Sequence, residues 1–274
     1  MFLGVDYKAN KGSYGIPFAA EVRQGLGGNA DNLDSVDIEF RRHNIRLFDQ
    51  RSRGRLDGRF GASISSRNFR TRGVDPLSPP ILRNTVAVFV LEELNLARFR
   101  LQVGGRVEHA GDSVRGLITR RVRPEGDVVQ DSQGNALERV FIPEQGFSGG
   151  AGGIGARFDL WTGGAFRVDL MSSLRVPALE ELYSFGSHPG RLTFDIGDAN
   201  LGRERLFGVD ISFEHRQNNF RGEVDVFYDD FDDFVHLVTN TGFREGLFEA
   251  EYTQADARFR GMELAVDYAL HPST

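Results

Sequence analysis

The chain has 274 residues, with 33 basic and 39 acidic side chains for a formal net charge of −6, 33 glycines, 23 phenylalanines, one tryptophan and no cysteine. Without cysteine there is no disulfide framework, thiolate metal site or cysteine nucleophile, and scattered charge with an acidic balance argues against nucleic acid held on a basic stripe. The longest apolar run, Val86 to Leu91, falls far short of the roughly 18 residues of a spanning helix, whereas a closed barrel, which needs only every second residue apolar, is compatible with a mean hydropathy of −0.33.

Lys8 and Lys11 are the only lysines, so nearly every cation is arginine, the side chain suited to paired and partly buried charge. Met1 to Asp6 has neither the basic lead nor the apolar length of a signal peptide. From there the chain shows period two, which puts apolar and polar side chains on opposite faces of a strand. A strand stub is expected at Phe2 to Tyr7, and weak strands at Val36 to Phe48, Arg59 to Phe69 and Ile154 to Leu160. Thr85 to Leu94 is apolar on both faces. Clear alternation marks Arg98 to His109, Ala165 to Val176, Phe207 to His215, Phe220 to Tyr228 and Arg258 to Tyr268. In the first of these, Phe99, Leu101, Val103 and Val107 oppose Arg98, Arg100, Gln102, Arg106 and Glu108. About nine to ten strands result, with phenylalanines and arginines as opposite faces of one sheet.

Alternation alone leaves two readings open: a soluble sandwich with a charged outer face, or a barrel with its apolar face toward lipid and its charges toward a wet lumen. The connections decide between them. Short links at 50–53, 95–97, 162–164 and 217–219 alternate with long ones at 70–84, 111–147 and 177–205 and an intermediate one at 240–247. In an up-and-down sheet this sorts the tight turns to one edge and the loops to the other, as in outer-membrane barrels with short periplasmic turns and long extracellular loops. Tyr228 and Tyr268 would close apolar faces at the interfaces. The fold expected is therefore all-β: an antiparallel up-and-down transmembrane β-barrel, present in part.

Specific motifs then appear. Arg175-Val176-Pro177 ends a strand, Glu181-Leu182 follows in a loop with His188, and Gly197, Leu201 and Glu204 lead into the next strand. This stretch resembles the barrel of TonB-dependent outer-membrane receptors, as do Tyr14-Gly15-Ile16-Pro17, Gly104-Gly105-Arg106-Val107-Glu108 and Ala257 to Glu263, in the family's order. The resemblance implies a signal peptide, an energy-coupling segment, a plug and about 22 strands closing the barrel. None of the first three is found and the chain stops at Thr274 without the usual aromatic-ended last strand, so residues 1–274 are expected to be a partial barrel domain with plug, signal peptide and final strands absent. The resemblance further implies outer-membrane localisation and uptake of a metal ion, metal chelate or siderophore-like nutrient, with zinc uptake the nearest subgroup. Its partners would be lipid, the plug, the TonB energy complex and an extracellular ligand, with no nucleic acid and no cofactor.

Nine side chains are expected to face the lumen: Arg100, Arg106, Glu108, Arg167, Asp169, Asp210, Glu223, Asp225 and Glu263, held by cross-strand charge pairs. His188 and the cluster Asp229, Asp230, Asp232 and Asp233 are the candidate metal ligands, the cluster being placed at a strand's outer end. The glycine run Gly149 to Gly155 lacks the frame of a phosphate loop and reads as a loop entering a strand. No catalytic constellation is found, so no enzyme is expected. The alternatives are a soluble extracellular β-sandwich that binds carbohydrate, or another barrel such as a porin.

Overall fold

The computed structural model describes residues 2–16, 36–72, 77–114, 118–122, 129–130, 136–140, 145–188, 190–244 and 246–269. Pro17, Pro189 and residues 270–274, which carry parts of the motifs and the expected chain end, lie outside them. The strands are β1 (Phe2–Ile16), β2 (Val36–Arg53), β3 (Leu56–Arg72), β4 (Ile81–Asn95), β5 (Phe99–Val114), β6 (Ile118–Val122), β7 (Val129–Gln130), β8 (Ala136–Val140), β9 (Gly146–Trp161), β10 (Gly164–Arg175), β11 (Phe185–His188), β12 (Thr193–Ile196), β13 (Glu204–Gln217), β14 (Phe220–Arg244) and β15 (Leu247–Tyr268). One short helix, α1 (Leu179–Tyr183), lies between β10 and β11.

Twelve strands form one sheet in the order β1-β2-β3-β4-β5-β9-β10-β13-β14-β15-β12-β11, while β6, β8 and β7 make a separate small sheet inside the β5–β9 connection. The ten long strands form an antiparallel meander. Among the described strands, only β12 runs parallel to a neighbour, along Phe248 to Glu251 of β15. The tight hairpins sit on one edge, with Gly163 and Asn218 at positive φ, the geometry that matches strand twist. A Cβ on Gly163 would lie 1.9 Å from the Arg216 carbonyl oxygen.

Several boundaries differ from the sequence reading. The stub at Phe2 to Tyr7 is a 15-residue strand, because backbone pairing with β2 carries on through Lys8 to Gly12, where no apolar alternation signals it. Residues 50–53 belong to β2, and the turn falls at Gly54, φ 64. The link at 240–247 is the tip of a hairpin whose first strand, β14, has 25 residues. The glycine run lies inside β9 rather than in a loop, since glycine removes the side-chain signal while the backbone still pairs with β5 along the whole run and with β10 from Ala151 onward.

Register sorts the two faces. Val103, Ile154, Leu170, Val209 and Tyr228 stand side by side across five strands. The same face carries Ile64, Val107 and Leu264, exposed by 57%, 62% and 69%. Phe99, Leu101, Phe166, Val168, Val209 and Ile211, which a sandwich would bring together in a dry core, lie on this one face of a single sheet. An apolar surface of this extent is incompatible with water and is the lipid-facing wall of a membrane barrel. Aromatic side chains gather where the tight turns lie: Phe99 packs on Phe158 at 4.8 Å, Trp161 on Phe213 at 5.7 Å, and Tyr268 ends β15. Tyr228 sits mid-strand in β14 rather than at a strand end, because β14 continues beyond it.

The opposite face is concave: residues from seven successive long strands, β4 to β15, line one hollow of about 800 Å³. The packed core lies at its loop end. Phe69, Ile81, Phe147 and Val235 from the wall meet Leu179, Leu182, Tyr183 and Leu201 from the β10–β13 connection, so this long loop folds back against the inner wall.

Candidate functional site

Arg100, Arg157, Arg167, Ser212, Asp225 and Glu263 form one continuous row across the inner face. Asp169 stands beside Asp210, Arg106 opposite Phe89, Glu108 opposite Ala87, and Glu223 opposite Glu214. The nine residues expected to line a lumen thus share the face opposite the apolar one. Their pairing differs from expectation. Several ion pairs join residues i and i+2 of one strand, Arg106 to Glu108 at 2.7 Å, Arg167 to Asp169 at 2.9 Å and Arg221 to Glu223 at 2.9 Å, while Arg100 reaches Glu93 of the neighbouring strand at 3.7 Å. Side chains two apart share a face, so a strand can neutralise itself, and Arg157 to Glu214 at 3.1 Å bridges strands. Asp210, Asp225 and Glu263 make no ion pair among the described residues, which leaves an acidic stretch across β13, β14 and β15. Phenylalanines also occupy this face: Phe48 lies under Arg59 and Phe89 under Arg46, at 4.9 and 5.6 Å, so cation–π contact places aromatic rings where the sequence reading expected charge alone.

The motif residues converge at the loop end. Arg175 donates through Nε and Nη2 to Glu204, at 3.1 and 2.8 Å, and through Nη1 to Glu181 at 3.0 Å. Glu181 accepts the Ala178 N–H at 2.7 Å at the start of α1, and Glu204 accepts that of Val235 at 3.1 Å. These two carboxylates thus share one guanidinium, which ties the start of α1 to the start of β13. The Pro177 carbonyl accepts from Arg83, itself bidentate to Asp112, and the Tyr183 hydroxyl donates to that same carboxylate at 3.1 Å. Arg67 holds Glu180 at 2.9 Å. A Cβ on Gly197 would lie 2.7 Å from the backbone at Leu182 and Ser184; with hydrogen there instead, the Gly197 and Asp198 N–H groups reach the Ser184 and Glu181 carbonyls. Leu182 and Leu201 fill the core. Arg67, Arg83 and Asp112 were not singled out from sequence, although Arg67 falls on the polar side of the weak strand at Arg59 to Phe69.

His188 stands apart from this cluster, at the end of β11 opposite Thr193. Burial, and then Arg191, lower its pKa from the ordinary 6.5, while Asp195 opposes them. The fully buried Asp195 accepts from Arg191 and from Thr193 Oγ1, the latter at 2.6 Å, and Arg191 also reaches the Tyr252 hydroxyl at 3.2 Å. Arg244 lies over the rings of Phe185 and Phe194, 5.2 Å from each, and clamps the β11–β12 hairpin to β14.

The acidic cluster lies within β14 rather than at its end. Alternation splits it: Asp229 is on the inner face, while Asp230 and Asp232 face outward with Arg258 and Arg205 at 2.8 and 3.5 Å. Asp233, at φ 57, forms a bulge. Among the described residues, no group of three or more His, Cys, Asp or Glu side chains gathers to hold a metal ion.

Comparison with curated proteins returns no match. Among solved structures, the copper transporter OprC is similar with a TM-score of 0.69 at 16% identity, covering 86% of this chain and 36% of that one. The Serratia marcescens hemophore receptor HasR gives 0.64 at 14%, covering 97% and 46%. The Neisseria meningitidis FrpB iron transporter gives 0.62 at 11%, covering 98% and 39%. The chain therefore spans less than half the length of these structures, and at such identities they speak for the fold alone. The model of the family described as TonB dependent receptor-like, beta-barrel, matches residues 3–271. With its apolar outer wall, charged concave face and sorted connections, the chain belongs to the β-barrel of the TonB-dependent receptors, a family of Gram-negative outer-membrane transporters and receptors.

Proposed function

We propose that the chain forms part of the wall and mouth of an outer-membrane receptor for energy-coupled uptake of a metal ion, a metal chelate or a similarly scarce nutrient. The observation that carries this reading is the hollow of about 800 Å³ on the charged inner face, walled from lipid on one side and overhung by the folded β10–β13 loop at its mouth. The nine inner-face residues line the passage. Asp210, Asp225 and Glu263 offer carboxylates to cationic groups of a plug that fills it, and the TonB energy complex acts through that plug. The ligand meets the long loops first.

The test is uptake by Gram-negative cells producing the full-length receptor in a strain without it. Radiolabelled ferric chelate, copper and zinc are offered separately, with and without a proton uncoupler. Accumulation of one of them, abolished by the uncoupler, is expected. Equal entry of all three, unaffected by the uncoupler, favours an open pore and overturns the reading.

A further inference from the structure

The outward face carries a depression across β5, β9 and β10. Gly105, Gly152 and Ser172 stand side by side on β5, β9 and β10, between Val90 and Phe207 in the same row. With Gly150, one step nearer the loops, they floor a trough of about 640 Å³ whose walls include Val88, Val107 and Leu174 and whose loop end is Arg205. Nothing inside the protein asks for these glycines. A Cβ on Gly105, Gly150 or Gly152 would meet its nearest atom at 3.8, 3.4 or 3.6 Å, an ordinary contact, and none of the three has a positive φ. Glycine within a strand weakens it and marks close approach by something else. On this face, that approach comes from outside the protein.

Charge indicates what approaches. Arg205 is exposed and only loosely paired, 3.5 Å from an equally exposed Asp232. Arg258 lies farther along the trough's own row, beyond Phe207 and Asp230, and is bound to Asp230 at 2.8 Å. Arg205 is thus the cation with the weaker carboxylate hold. An apolar trough ending at a guanidinium matches an amphipathic anion, and guanidinium favours the fork geometry of a phosphate.

We propose that the trough seats an acyl chain of a phosphorylated membrane lipid whose phosphate rests on Arg205. The lipid tail lies over Gly105, Gly152 and Ser172, where the missing side chains let it approach the backbone. Its phosphate displaces or shares the loose contact with Asp232. The seat lies on the wall opposite the transport hollow and serves to hold lipid, not cargo. It rests on the membrane reading of the outer face.

The experiment titrates the full-length chain, purified in detergent, with dioleoyl phosphatidic acid and with dioleoylglycerol, which share tails and differ in the phosphate, and counts bound lipid by native mass spectrometry. Phosphatidic acid is expected to be retained roughly tenfold more strongly. Arg205→Gln brings it down to the dioleoylglycerol level, and Gly152→Val, which fills the floor, lowers both. Leu264→Val, outward but off the trough, leaves binding unchanged. Should Gly152→Val fail to fold by circular dichroism, Ser172→Val reads the same floor. Equal retention of the two lipids by the parent chain, or full retention after the floor is filled, overturns the seat. A chain that stays monodisperse in water without detergent overturns the membrane reading and the seat with it.

Discussion

At the residue scale, Arg175 spans two carboxylates of unequal exposure: Glu204 keeps 6% of its side-chain surface and Glu181 17%. Arg175→Ala leaves Glu204 charged and almost enclosed. A loss of about 1–3 kcal/mol is expected from stranding such a group, read as a lower midpoint in denaturant unfolding of the detergent-held receptor; Arg175→Lys, with one point charge and no fork, recovers only part of it. His188 predicts a pH effect at the mouth. Burial and Arg191 lower its pKa from 6.5, so below that value the unfolded segment takes up protons that the folded one resists. The hairpin's stability is therefore complete above about pH 6.5 and falls as pH drops toward the folded value. The hydrogen-exchange protection factors of β11–β12, each rate taken relative to the intrinsic rate at the same pH, should fall on acidification, and His188→Gln should flatten that dependence. An unchanged pH response in His188→Gln would show that another group is responsible.

Among the elements, α1 has only five residues, too few to be stable alone. Its existence depends on Leu179, Leu182 and Tyr183 reaching the wall, and on Gly197 allowing the returning chain to pass within van der Waals distance. Gly197→Val should dislodge the loop, leaving strand content by circular dichroism unchanged while trypsin gains access to Arg191 and Arg203. Leu182→Ala should cost about 2–5 kcal/mol in the same unfolding measurement. Resistance of Gly197→Val to trypsin would mean that the loop holds without this approach. Most wall strands were legible because they alternate against uniform partners, lipid outside and water inside. The loop's structure was not, since its order comes from Arg67, Arg83 and Asp112, more than 60 residues away in sequence. The motif marked the place without disclosing that Arg175, Glu181 and Glu204 meet. The second half of β1 and the glycine-bearing start of β9 were missed for a common reason: backbone pairing, which leaves no trace in side-chain pattern, carries them.

On the scale of the whole molecule, the single tryptophan reports orientation. Trp161 lies at the β9–β10 turn, 49% exposed, its Nε1 donating to His215 at 3.2 Å, the place of an interfacial aromatic. In vesicles, its fluorescence should be quenched more by bromines near the headgroup than by bromines near the chain end; the reverse order would put this edge of the sheet in the bilayer centre. Barrel class, facing and turn edge were readable from sequence because they follow from period and connection length, whereas strand heights were not. β14 runs 25 residues against 12 for β10, and nothing in its alternation says where the bilayer stops. The folded β10–β13 loop has a consequence for how such a wall closes. Through Arg67, Arg83, Asp112, Arg175 and Glu204 it joins β3, β4, β5, β10 and β13 to one small helix. Like the keystone of an arch, it ties strands that are not neighbours in the sheet to one point, so a wall held by this loop is expected to keep its curvature apart from the rest of the ring, and ends held closer together lower the loop-closure cost of pairing them.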